Sequence, residues 1–148
     1  MPANSTVRKD DPFNLQRFVD AQAEVYGDVL SELARGRKTS HWMWFIFPQL
    51  QALGHSMTAR YYGITSREEA VAYLQHPVLG LRLRQCVNQL LALSLTDPHS
   101  IFGSPDDMKL RSCLTLFAAA APDETLFSEA LKRLYPEGAD GATMAMLA

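Results

Sequence analysis

From Leu15 onward apolar residues recur at steps of three and four. Leu15, Phe18, Val19, Val25, Tyr26, Val29, Leu30 and Leu33 fall on one face, with Asn14, Arg17, Asp20, Glu24 and Asp28 on the other. That spacing predicts one long amphipathic helix, opened by Asp11 and Pro12, weakened at Gly27 and ended at Gly36. The next segment, "HWMWFIF" from His41 to Phe47, is apolar all round. With Thr39 or Ser40 as cap and Pro48 behind it, it reads as a helix surrounded by protein. A buried strand is the competing reading, but no second run of β-branched residues exists to pair with it.

Ser56 predicts the cap of a short helix closing at Gly63, and Ser66 with Glu69 has the spacing of a capping box. Pro77 stops that helix and starts another with an apolar stripe of Leu79, Leu83, Cys86, Val87, Leu90 and Leu91. "TDPHSIFGSPDD" is a loop with at most one helical turn. Ser104, Pro105 and Asp107 then open a helix carrying Leu110, Cys113, Leu114, Phe117 and Ala121. Asp123 caps a further one, and Asp140 a short last one. The expected fold is all-α: one compact domain of six to eight helices over residues 12–148, packed around a buried central helix at 41–47, behind a disordered tail of residues 1–11.

Composition narrows the function without naming it. The chain has 148 residues, 47% hydrophobic and 20% charged, enough to bury one core. A net charge of −2 and a pI near 6.0 speak against a dedicated nucleic-acid surface, leaving only a local "RGRK" patch beside aromatics. No apolar run is long enough to cross a bilayer and the N-terminus lacks a signal-peptide core, so a cytoplasmic protein is expected. Cys86 and Cys113, each within an apolar helical pattern, read as reduced core residues. There is no phosphate-binding glycine loop, no "HExxH", no nucleophile elbow and no Cys-x-x-Cys. The four histidines lie far apart, so neither a metal site nor a cofactor is expected.

Three groups carry the candidate chemistry. His41 stands at a predicted helix start, where the dipole favours a neutral imidazole suited to general acid or base work, and Trp42 and Trp44 offer faces for stacking. Buried tryptophans that only fill the core are the plain alternative. A helix start capped by Ser56, with Arg60 one turn on, suits a phosphate or carboxylate, and Gln49 with Tyr61 or Tyr62 would add directional hydrogen bonds. In "SPDDMKLRS", Asp107 is first a capping partner for Ser104 and a helical neighbour of Arg111, while Lys109 is free to reach another helix.

"SHWMWFIFPQLQALG", "YYGITSREEAVAYLQHPVLGLRLRQC", "DDMKLRSCLTLFA" and "GADGATMAML" resemble, in this order and over nearly everything from Phe13 on, the uncharacterised family catalogued as domain of unknown function 1810. The resemblance implies a mainly helical domain and no established activity. Positions matching the family's polar pattern are His41, Gln49, Ser56, Tyr62, Glu69, His76, Asp107, Lys109, Ser112, Asp140 and Thr143, with Cys113 where a small residue is usual. Helix starts account for Glu69 and Asp140. His41, Gln49, Asp107 and Lys109 are the polar residues that a core does not require.

The favoured expectation is a small anionic metabolite or nucleotide bound in an aromatic-lined pocket near His41. Trp42, Trp44, Gln49, Ser56, Arg60, Tyr62 and Lys109 would contact it. His41 and Asp107 would be the catalytic pair if there is chemistry. The alternative is an interaction or self-association module using Tyr61–Tyr62 or the C-terminal "ATMAMLA".

Overall fold

The computed structural model describes residues 10–94 and 96–148. The first nine residues of the expected tail lie outside them. Ten α-helices and one short 3-10 turn, Gln51–Leu53, make up the described chain, and no strand is present there beyond one parallel bridge, Leu50–Ile64. The all-α expectation therefore holds, with more and shorter helices than the six to eight expected.

The extra count comes from interruptions. The stripe from Leu15 to Leu33 is divided into α1 (Gln16–Gln22) and α2 (Tyr26–Ala34). At the break the buried Gln22 donates its amide to the Phe45 carbonyl (2.8 Å) and the Tyr73 hydroxyl (3.2 Å), and accepts from Arg82 (3.3 Å). A polar side chain so committed turns the chain, and the two halves pack in different directions, α1 on α3 and α2 on α6. Asp11 does open this region, its carboxylate accepting from the Leu15 and Gln16 amides at 2.7 and 3.0 Å.

The segment expected as the central helix is only one turn, α3 (Met43–Ile46). Trp42, Met43, Ile46 and Phe47 are buried, while Trp44 and Phe45 are half-exposed. The surrounded helix is instead α8 (Asp106–Ala120), buried from Ser112 through Phe117 and packed against α5 (Arg67–Gln75), α7 (Pro98–Phe102), α9 (Thr125–Leu134) and α10 (Gly141–Leu147). Its one-sided pattern is weak because partners cover it on several sides. Between α3 and α7 come α4 (Met57–Tyr61), α5 and α6 (Leu79–Ala92). Ser56, Ser66 and Asp140 cap α4, α5 and α10 as expected. Asp123 does not cap α9: Glu124 holds that position without a side-chain bond. Cys86 and Cys113 are free and buried, and burial pushes the Cys86 thiol up to about 12.

The bridge at Leu50–Ile64 carries Gln49 past the end of α4. The Ile64 amide donates to the Gln49 carbonyl and the Gln51 amide to the Ile64 carbonyl, each at 2.9 Å. The crossing is close enough to require glycine at position 63, where a Cβ would sit 2.3 Å from the Gln51 Cα. Backbone rather than a flexible side chain is in the way. Gly63→Ala is expected to destabilise the fold by about 1–3 kcal/mol, as overpacking of a tight contact does, checked by urea unfolding. A loss below a few tenths would mean that the crossing relaxes freely.

Candidate functional site

The wall of the candidate site begins with a buried carboxylate. Glu32 on α2 is 3% exposed and accepts from the Thr39 amide (2.7 Å), the Ser40 amide (2.9 Å), the Ser40 hydroxyl (2.6 Å) and Trp42 Nε1 (3.0 Å). Burial alone would raise its pKa. The bonds from Ser40, Thr39 and Trp42 outweigh that and hold the acid down at about 2. Four donors fix the loop 37–42 without any regular structure, and the Lys38 amide adds a 2.8 Å bond to the Ile101 carbonyl.

That loop delivers Lys38 to α8. Lys38 Nζ lies 2.9 Å from Asp106 Oδ2, with the side chain 8% exposed and the ammonium 5.1 Å from the Trp42 ring centre. Lys109, one turn along α8, reaches the other oxygen of the same carboxylate at only 3.8 Å and stands 5.6 Å from the Trp44 ring centre. Two ammonium groups thus share one carboxylate, and Lys109 is the less satisfied of the two.

Lys109 lines three adjoining depressions. A cleft of about 410 Å³ holds Lys38, Ser40, His41, Trp44, Asp106 and Lys109. A second, of about 440 Å³, holds Gln49, His55, Ser56, Met108, Lys109 and Asp140, and shares Pro105 with the first. A narrow gap between Trp44, Gln49, Tyr62 and Lys109 lies among them. Of the expected site residues the structure therefore brings together His41, Trp44, Gln49, Ser56, Tyr62 and Lys109. His41 is exposed, and neither its ring nor the Gln49 amide has a hydrogen-bond partner among the described residues. Tyr62 is half-buried, packed on Phe18 and Phe45, and burial together with Tyr61 raises its pKa.

Three expected residues go elsewhere. Trp42 is a core side chain, tilted against Phe47, edge-to-face with Phe102 and bonded to Glu32, rather than a wall of the groove. Asp107 pairs with His99 (3.3 Å), not with His41, because successive residues on a helix point about 100° apart and it is Asp106 that faces Lys38. Arg60 hydrogen-bonds to the Gly54 carbonyl at 3.4 Å and lines a larger cleft, about 620 Å³, with Arg67, Thr65 and Met146. Size alone would favour that cleft, but the His41 ring and the Gln49 side-chain amide, without partners among the described residues, lie beside Lys109. In the sequence Lys38 stands only within the basic "RGRK" patch, and Asp106 carries no role of its own. The 106–109 spacing on a helix was the one local signal for the latter.

Among the described residues no group of three or more His, Cys, Asp or Glu could hold a metal, and no helix is long and apolar enough to cross a membrane. The sequence model of a family described as protein of unknown function (DUF1810) matches residues 12–147. Among solved structures the chain is similar to the conserved hypothetical protein Rv1873 from Mycobacterium tuberculosis, with 51% identity, a TM-score of 0.90, and coverage of 93% of this chain and 98% of that one. No protein with a curated description matches.

Proposed function

The chain belongs to the DUF1810 family, and we propose that it binds a small anionic metabolite, of the phosphorylated or nucleotide class, in the groove around Lys109. The observation that carries this reading is the under-paired ammonium of Lys109, 3.8 Å from a carboxylate already engaged by Lys38 and bordering three depressions at once. Trp44 offers a half-exposed face beside it, and His41 and the Gln49 side-chain amide supply directional groups without partners among the described residues. A catalytic pair of His41 and Asp107 receives no support from the geometry, since Asp107 faces His99. Ser40 is equally engaged, its hydroxyl donating to Glu32.

A thermal-shift panel of nucleotides, sugar phosphates and small carboxylates tests it. A ligand at a hundred times its dissociation constant stabilises the protein by about 2.7 kcal/mol, a visible change in melting temperature for a domain of this size. Lys109→Met is expected to abolish the shift while leaving the unliganded melting temperature within a few degrees, because its single ion pair is long. His41→Ala should weaken it. An undiminished shift in Lys109→Met would put the ligand elsewhere.

A second reading, self-association, has an observation of its own: Met57 is 90% exposed, and Tyr61, Met144 and Met146 are each about half-exposed on α4 and α10. Sedimentation at rising concentration tests it, and a monomer throughout would remove it.

A further inference from the structure

Resting on the binding reading above, we infer that the ligand is two-headed: two uncharged groups joined by a phosphodiester or pyrophosphate whose charge sits at Lys109. The two clefts are similar in size, about 410 and 440 Å³, and each alone is near the lower end of the range of roughly 300–1,000 Å³ for small-molecule sites. They meet where Pro105 and Lys109 line both. The cationic group therefore stands at the waist of a composite groove. A ligand with a terminal anion would place its charge there and fill one cleft only. A ligand charged in its middle fills both.

The ends differ in a way that suits planar, polar heads. One offers the Trp44 face and the His41 ring, and the other offers His55, the Gln49 amide and Met108. His55, like His41, is exposed and lacks a hydrogen-bond partner among the described residues. Asp140 lines the second cleft, but its Oδ2 accepts from the Thr143 amide and hydroxyl at 2.9 and 2.6 Å, so it serves the α10 cap. The remaining negative group at the waist, Asp106, is balanced by Lys38 at 2.9 Å, which leaves Lys109 to the linking phosphate. A dinucleoside pyrophosphate has this charge layout.

The test is titration calorimetry of the full chain with adenosine 5′-monophosphate, inorganic pyrophosphate and diadenosine pyrophosphate. Diadenosine pyrophosphate is expected to bind at least tenfold more tightly than either of the others. Thr39→Trp crowds the first cleft from an exposed position and Ala142→Trp the second. Each alone should cost diadenosine pyrophosphate about tenfold, with melting temperatures unchanged. Equal affinity for the mononucleotide, or a crowding variant without effect, would overturn the two-headed ligand and leave the Lys109 reading standing, since mononucleotide binding would still vanish in Lys109→Met. Binding of a small carboxylate or sugar phosphate alone would do the same. No binding by any of these anions would overturn both.

Discussion

Glu32→Ala is expected to lower the unfolding free energy by about 3 kcal/mol or more. The change strands two backbone amides, a hydroxyl and an indole N–H that all converge on the carboxylate, and a buried donor left without an acceptor costs about 1–3 kcal/mol. Urea unfolding at neutral pH measures it, and a loss under 1 kcal/mol would mean that water replaces the carboxylate. Glu32→Gln retains one acceptor oxygen and should lose less. The pH dependence has a definite sign. The folded pKa of about 2 lies below the ordinary value of 4.5, so the unfolded chain binds the proton more readily. This contribution to stability is complete above about pH 4.5 and is lost as pH falls toward 2. In Glu32→Gln that part of the acid sensitivity should disappear.

Arg17→Ala is expected to cost about 3–5 kcal/mol, the range for removing one partner of a buried ion pair, and to lower the melting temperature by roughly 10 °C. Arg17 is 7% exposed and Glu69 2%, and they meet at 2.9 Å. The guanidinium also donates to the carbonyls of Phe13 (2.6 Å), Asn14 (2.7 Å), Tyr61 (2.8 Å) and Gly63 (3.1 Å), and covers the Phe18 ring. Glu69 in turn accepts from the Thr65 amide and hydroxyl. A planar fork with donors in fixed directions makes this set of contacts, so Arg17→Lys should recover only a minor part. Scanning calorimetry of both variants checks the order. Near-equal melting of Arg17→Lys and wild type would show that charge alone suffices.

These two residues also mark where reading the chain stops short of its structure. Ser56, Ser66 and Asp140 were readable because a cap bonds within three residues of itself, and the spacing is in the sequence. Arg17 was assigned to the solvent face because its helical position is polar, whereas its carboxylate partner comes from 52 residues away. Glu32 falls within the expected helix, and nothing local shows that the following loop folds back on it. The same reason separates Asp106 from Asp107: two adjacent acids are equal in sequence, and only the position of Lys38 in space decides which one belongs to the groove. Gln22 broke a helix that periodicity drew as continuous, because its partners at Phe45, Tyr73 and Arg82 lie on other elements. Of the candidate site, His41, Trp44, Gln49, Ser56, Tyr62 and Lys109 are legible as residue types, and the place where they meet is not.

The chain contains two tryptophans, and they sit on opposite sides of one short turn: Trp42 sealed in the core with its N–H on Glu32, Trp44 half-exposed beside Lys109. The protein thus carries two built-in fluorophores with separate duties. Burial is expected to shift Trp42 emission to the blue and tie it to the integrity of the interior, while Trp44 stands where a ligand of the proposed groove would change its emission. The two signals should then separate unfolding from the proposed binding in one unlabelled sample.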